Sequence, residues 1–176
     1  MIETIGGFSN FSSAIVLDLS SQFSAEIILD YLEHSIGIQP PYRLLDVGCG
    51  KGVVVEHFRQ RGIEAFGIDL RETSLPKKPY FQVMDARLMN FPEGSFDVVV
   101  EAYTLAHLIE IDQNPSAVKR VTAEMARVTR IEGILLSYGK KDQFLQGILV
   151  NSFRPLEPQP YCHAYQKLNV TQKIGG

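Results

Sequence analysis

The sequence predicts an α/β fold in which helices cover both faces of a parallel sheet. Short runs of consecutive apolar residues, such as 43–47 and 96–101, alternate with stretches of helical periodicity. Strands that are buried on both faces form continuous apolar runs, and parallel strands are joined by helical crossovers. The chain has 176 residues, so we expect a single domain with a substantial core.

Composition and charge exclude several classes of protein. The net charge is −3 and the pI is near 5.8, so the chain lacks the excess of lysine and arginine that is typical of a nucleic-acid binder. Two cysteines, Cys49 and Cys162, make neither a disulfide framework nor a four-ligand zinc site. We find no secretory signal and no apolar run near the roughly 20 residues of a membrane helix. These observations predict a cytoplasmic protein with no membrane or nucleic-acid partner.

The elements follow in order along the chain. Ser24 is the predicted N-cap of a helix whose apolar face includes Ile28 and Leu32 and which ends before Pro40 and Pro41. Apolar runs predict strands at 43–47, 63–69, 80–84, 96–101 and 134–138. Periodicity predicts helices at 52–61 and 117–130.

The pattern is weaker after residue 138. Residues 142–153 are predicted as a helix, the proline-rich segment 154–160 as a loop, and 161–170 as an outer strand. The second and third strands are separated by only ten residues, 70–79, whereas a parallel crossover normally needs about a dozen or more. One patch of the sheet should therefore be thinly covered, and we expect the N-terminal segment or a second copy in a homo-oligomer to cover it.

The sharpest local feature is the segment LLDVGCGKG at 44–52, where a strand leads into a glycine turn that opens a helix. Glycine tolerates positive φ and lets a ligand approach the backbone, and amides at a helix start face that ligand. A tight turn without a ligand is the alternative. The dinucleotide pattern GxGxxG would need glycine at Val53, and the spacing to Lys51 does not fit a phosphate-binding P-loop.

Asp46 followed by glycines at every second position resembles the first motif of class I S-adenosylmethionine-dependent methyltransferases. Asp69 ends the second strand 19 residues after Gly50, where an acid can accept both ribose hydroxyls. Asp85 resembles the family's adenine-binding acid, and the segments 91–100 and 124–136 resemble the approaches to its fourth and fifth strands. The resemblance covers residues 42–138 in order.

This resemblance implies a doubly wound, Rossmann-like methyltransferase fold that binds S-adenosylmethionine. Residues 1–41 would form an N-terminal lid or helix, 42–138 the cofactor-binding core, and 139–176 the substrate side of one domain. The implied cofactor-binding residues are Asp46, Gly48, Cys49, Gly50, Gly52, Asp69, Leu70, Asp85, Ala86, Glu101 and Ala102.

The resemblance places the methyl group near the segment after the fourth strand. His107 has the most suitable pKa for a general base, with Tyr103 and Glu101 as further candidates, although a histidine there can also simply pack or cap a loop. The segment reads EAYT rather than the Asn or Asp, two prolines and aromatic of base-methylating enzymes. This favours a small-molecule acceptor. No grouping of His, Asp and Glu has metal-ligand spacing.

Two other functions stay open on the sequence. One is a catalytically inert protein that binds S-adenosylmethionine and regulates or scaffolds a partner. The other is a nicotinamide-dependent oxidoreductase, which Val53 and the lack of a second catalytic domain disfavour.

Overall fold

The computed structural model describes residues 13–72, 75–139, 149, 152–158 and 160–169. Its centre is a seven-stranded sheet with the strand order β3-β2-β1-β4-β5-β7-β6. The strands are β1 Arg43–Val47, β2 Glu64–Asp69, β3 Phe81–Val83, β4 Phe96–Ala102, β5 Thr129–Tyr138, β6 Phe153–Pro155 and β7 Cys162–Lys167. The first five strands are mutually parallel, and β7 pairs antiparallel with both β5 and β6.

In the described part of the chain, four α-helices flank the sheet. They are α1 Ser13–Asp30, α2 Val53–Arg59, α3 Thr104–Glu110 and α4 Pro115–Val128. Helices α1 and α2 pack on one face against side chains such as Leu44, whereas α3 and α4 pack on the other face against side chains such as Leu45. Consecutive residues of a central strand are therefore both buried, which explains the continuous apolar runs. This architecture confirms the predicted doubly wound, mostly parallel α/β fold.

The N-terminal helix begins earlier than predicted, and it ends before the two prolines as expected. It already begins at Ser13, so Ser24 is a buried residue within the helix and not its N-cap. The helix continues as a π-helix over Tyr31–Ile36 and ends at Gly37, upstream of the two prolines. Gly37 adopts φ 80° and donates its N–H to the Leu32 carbonyl, as a left-handed C-cap does. Among the described residues, no helix has the length and apolarity to cross a membrane.

The outer part of the sheet also differs from the prediction. Most of the predicted helix 142–153 lies outside the described residues, but Phe153 begins β6. Arg154 and Pro155, which were assigned to a loop, also belong to this strand. Proline is tolerated there because β6 is an edge strand, where one side needs no ladder hydrogen bonds. The antiparallel pair at the end of the fold is therefore present.

The short crossover between β2 and β3 is confirmed. The Leu75 N–H donates to the Glu72 carbonyl at 3.1 Å, while residues 73 and 74 lie outside the described part of the chain. The Arg59 guanidinium of α2 lies 3.9 Å from the ring centroid of Tyr80, and the Glu56 carboxylate accepts hydrogen bonds from Lys78 and Tyr80. Long side chains of α2 thus cover part of the face that a crossover helix would cover. Oligomerisation stays a prediction.

Candidate functional site

The glycine turn lies between β1 and α2 at the carboxyl edge of the sheet. Gly48, Gly50 and Gly52 adopt φ values of 75°, 51° and 74°, which side chains rarely tolerate. A Cβ on Gly48 would lie 2.1 Å from the Thr104 hydroxyl oxygen, and one on Gly52 would lie 2.3 Å from the Phe81 ring. The turn thus needs glycine at these two positions both for the backbone conformation and for space.

Asp69 holds this turn from the end of the neighbouring strand β2. One of its carboxylate oxygens accepts the Gly50 N–H at 3.0 Å, and the other accepts the Arg71 N–H at 2.8 Å. The N–H groups of Gly48 and Cys49 both donate to the Ile68 carbonyl. A carboxylate has about four acceptor positions, so Asp69 retains capacity for a ligand that lies against the turn.

A cavity of about 500 Å³ opens beside the turn, a size typical of small-molecule sites. Eight of the predicted site residues line it: Gly48, Asp69, Leu70, Asp85, Ala86, Ala102, Tyr103 and His107. Five other predicted residues do not belong to the lining: Asp46, Cys49, Gly50, Gly52 and Glu101. These five form the layer beneath the cavity or the body of the turn.

Two buried acids lie under the cavity at the ends of β1 and β4. Asp46 and Glu101 are each only 2% exposed. Glu101 accepts the Leu105 N–H at 3.1 Å and the Ser137 hydroxyl. Burial, together with the nearby acids Glu101 and Asp69, raises the pKa of Asp46 to about 8. Acidic groups are therefore concentrated near the carboxyl ends of β1, β2 and β4, beside residues that line the cavity, and a cationic ligand would favour their ionised form.

Cys49 is placed for packing and not for nucleophilic chemistry. Its Sγ lies against Gly67, where an added Cβ would approach to 2.7 Å. Burial is the main cause that raises the pKa of this thiol, and the acids Asp46 and Asp69 raise it further. Because the thiolate is the reactive form of cysteine, this side chain stays an inert, protonated packing group at neutral pH.

Asp85 lies at the far end of the cavity in an ion pair with Arg87. The guanidinium Nη2 lies 2.6 Å from one carboxylate oxygen, and Nε lies 2.9 Å from the other. This side-chain hydrogen bonding holds the pKa of Asp85 below its usual range. Asp85 is thus an ionised acceptor, and a bound amine would share it with Arg87.

Tyr103 and His107 line the opposite end of the cavity. Tyr103 adopts φ 64° directly after β4, and its carbonyl accepts the His107 N–H of α3 at 2.9 Å. His107 Nε2 lies 3.8 Å from Asp112 Oδ1, and its side chain is half exposed. Burial and the neighbouring Tyr138 raise the pKa of the Tyr103 phenol. The Tyr103 phenol shares a side-chain hydrogen bond with Tyr138, so its ring is held at this end of the cavity.

Several cavity residues were not predicted from the sequence. They come mainly from α3 and the start of α4: Thr104, Leu108, Asp112, Asn114, Ala117 and Val121. A signal for part of this set was present, because Asn114 followed by Pro115 is a typical helix start. The Asn114 Oδ1 indeed accepts the Ala117 N–H at 3.0 Å as the N-cap of α4. Among the described residues, no cluster of three or more His, Cys, Asp or Glu side chains is arranged to hold a metal ion.

Comparisons with known proteins relate this chain to methyltransferases. A ubiquinone biosynthesis O-methyltransferase from Bordetella avium is 30% identical over 56% of this chain and 44% of its own length. The chain spans less than half the length of the curated relatives that it matches.

Two solved structures share the fold. The magnesium protoporphyrin IX methyltransferase from Synechocystis PCC 6803 has a TM-score of 0.66 at 18% identity, covering 93% of this chain and 86% of that one. The 1,6-didemethyltoxoflavin-N1-methyltransferase from Burkholderia thailandensis has a TM-score of 0.66 at 16% identity, with 89% and 82% covered. The family described as "Methyltransferase domain" matches residues 45–137, more than half of the chain, and the protein therefore belongs to this methyltransferase family.

Proposed function

We propose that this protein transfers a methyl group from S-adenosylmethionine to a small-molecule acceptor by in-line displacement. The observation that carries the proposal is the cavity itself. One end is lined by Gly48, Asp69 and Asp85, which suit a nucleoside, and the other end by Tyr103 and His107, which suit a reacting acceptor. Parallel α/β sheets bind their ligands at this carboxyl edge.

The residues present fit this cofactor on three counts. Gly48 lines the cavity, and because glycine carries no side chain a ligand can approach its backbone closely. Asp69 keeps acceptor capacity at the place where a ribose would lie against the turn. The buried acid Asp46 takes part in none of the ion pairs between described residues, so it has no cationic partner among them and could ionise when a cation binds near it.

We assign the individual roles as follows. S-adenosylmethionine supplies an electrophilic methyl group on a cationic sulfur. Asp69 accepts hydrogen bonds from the ribose, with Leu70 against one face of the adenine, while Asp85 and Ala86 meet the adenine edge. Gly50, Gly52 and Cys49 shape the turn, and Ala102 borders the methionine portion.

At the acceptor end, the protein must align the acceptor with the methyl group, remove the proton of an acceptor that carries one, and exclude water. His107 lies in the last turn of α3 and is the general base that we propose for an acceptor that arrives protonated. Tyr103 orients the acceptor through its phenol, which can both donate and accept a hydrogen bond. Alignment of the acceptor with the reacting bond supplies much of the remaining rate.

We further propose a division of the chain into three parts around this cavity. Residues 42–138 form the cofactor-binding core, residues 1–41 the N-terminal segment, and residues 139–176 the substrate side.

The names of the relatives support a small organic acceptor: one acts in ubiquinone biosynthesis, and another methylates 1,6-didemethyltoxoflavin. A net charge of −3 supports the same choice over nucleic acid.

The test is transfer of a labelled methyl group from S-adenosylmethionine into a mixture of small metabolites. We expect a labelled product, and we expect His107→Ala to lower kcat about a hundredfold or more while the cofactor Kd is retained. His34→Ala is the matched control, because His34 is a 75% exposed histidine on the N-terminal helical segment. Tight cofactor binding without any labelled product would instead indicate an inert binding protein that regulates a partner.

A further inference from the structure

Three tyrosines form a cluster at the acceptor end of the sheet. Tyr103 follows β4, Tyr138 ends β5 and Tyr161 precedes β7. The rings of Tyr103 and Tyr138 meet edge to face, with centroids 5.6 Å apart at 90°, and Tyr161 lies 6.4 Å from Tyr138 at 43°. We call Tyr103, Tyr138 and Tyr161 the tyrosine wall.

The tyrosine wall has a buried centre and two exposed ends. Tyr138 is 4% exposed, whereas Tyr103 and Tyr161 are 51% and 58% exposed. Tyr103 lines the cavity, whereas Tyr138 and Tyr161 do not belong to its lining, so the exposed ring of Tyr161 adds aromatic surface beside the cavity. Large aromatic side chains that stay exposed beside a cavity leave apolar area for a partner to cover.

The backbone holds both exposed tyrosines in an uncommon conformation. Tyr103 and Tyr161 have φ values of 64° and 69°, in a region that costs a bulky residue energy and that clusters at functional sites. The Tyr103 N–H donates to the Tyr138 carbonyl at 3.1 Å, and the Gly139 N–H donates to the Tyr161 carbonyl at 2.8 Å. Two separate chain segments are thus fixed so that their rings flank Tyr138.

The charges around the cavity restrict what this surface would bind. Arg71 and Arg87, the two arginines of the cavity lining, lie with Asp69 and Asp85 at the nucleoside end. Among the described residues, the lining at the acceptor end contains Tyr103, His107 and the acid Asp112, and no lysine or arginine. This part of the lining offers an anionic acceptor no cationic partner, whereas it offers a neutral ring with a hydroxyl an aromatic face and polar groups.

We propose that the methyl acceptor is a neutral, planar aromatic molecule whose ring packs against the tyrosine wall. This inference rests on the proposed methyltransferase function and specifies its substrate class. Aromatic rings pack well in edge-to-face and offset arrangements, and Tyr103 and Tyr161 offer surfaces for both. The Tyr103 phenol would donate to a heteroatom of the ring and so orient the reacting group.

The test uses protein saturated with S-adenosylhomocysteine and 2-naphthol as the aromatic probe. Because the chain has no tryptophan, naphthol emission is measured with little protein background. We expect 2-naphthol to bind, and its saturated counterpart decahydro-2-naphthol and the cation choline to compete at least tenfold less effectively. Tyr161→Leu should weaken naphthol binding by about three- to tenfold, while Tyr161→Phe should stay within about twofold.

The controls separate this inference from the proposed function. Phe23→Leu removes an aromatic side chain on α1 that is 63% exposed, similar to Tyr161. This variant should change neither the affinity for 2-naphthol nor the affinity for the cofactor. Cofactor affinity is measured by calorimetry for every variant and should not respond to Tyr161→Leu, which also shows that the variant folds. The inference would be overturned if 2-naphthol did not bind, or if Tyr161→Leu bound it as tightly as the unchanged protein. It would also be overturned if decahydro-2-naphthol or choline competed as effectively as 2-naphthol binds. Absence of S-adenosylhomocysteine binding would overturn the proposed function and the inference with it.

Discussion

Asp46 links cofactor binding to pH. Its pKa is raised to about 8 by burial and by the neighbouring Glu101 and Asp69, so in the free protein this side chain holds its proton at neutral pH. A bound cation favours the ionised carboxylate and therefore releases that proton. We expect the affinity for S-adenosylmethionine to rise as the pH increases from 6.5 towards 8 and to level off above it.

Calorimetry in buffers with different ionisation enthalpies measures the proton released. The Asp46→Asn variant is the control, because it keeps any titration of the cofactor's own amino group and removes that of Asp46. The variant should show a flatter affinity profile and a smaller proton release at pH 7. Identical profiles of affinity against pH for the two proteins would show that Asp46 does not release a proton when the ligand binds.

Asp69 is the residue on which nucleoside binding should depend most. Asp69→Ala removes the proposed acceptors of the ribose hydroxyls and also the partner of the Gly50 N–H. We expect the binding free energy of S-adenosylmethionine to weaken by about 1–3 kcal/mol. Asp69→Asn keeps one acceptor oxygen and should lose less. An unchanged Kd in Asp69→Ala would remove this residue from the site.

At the scale of elements, the β1–α2 turn is limited by space as much as by backbone conformation. Gly48 and Gly37 have similar φ values of 75° and 80°, but a Cβ meets Thr104 at the first position and nothing within 4 Å at the second. We expect Gly48→Ala to lower the free energy of unfolding by roughly 1–3 kcal/mol more than Gly37→Ala does. Urea denaturation measures both.

The Thr104 side chain provides an internal check on that difference. Thr104→Ala removes the two closest atoms, Oγ1 and Cγ2, and leaves Cβ at 3.0 Å. The double variant Gly48→Ala/Thr104→Ala should therefore be less destabilised than the sum of the single variants, since the clash is shared. Strict additivity would contradict a steric origin.

Elements with many buried residues were the ones that the sequence predicted well. The β1 prediction matches its observed bounds, and β2 and β4 differ by one residue, because strands buried on both faces carry long apolar runs. The helix α3 buries only Leu105, and the edge strand β6 has three residues. Such elements are determined by neighbouring strands and caps more than by their own periodicity, and they were missed.

At the scale of the whole molecule, the sheet order brings together residues that are far apart in sequence. Gly48, Asp69, Asp85 and Tyr103 lie at or just after the ends of four different strands, yet all line one cavity. The nucleoside end was predictable because each residue lies next to a strand end with a characteristic motif. The acceptor end was only partly predictable, because it depends on the left-handed backbone conformation of Tyr103 and Tyr161. No local sequence motif indicates a positive φ at these two tyrosines.

The central claim is that this cavity binds S-adenosylmethionine, and calorimetric titration of the protein with that compound tests it most directly. We predict one-site binding at submillimolar concentration and no measurable heat with NAD under the same conditions. Loss of the heat in Asp69→Ala would tie the signal to the cavity. Absence of binding at concentrations near a millimolar, or tighter binding of NAD, would contradict the account.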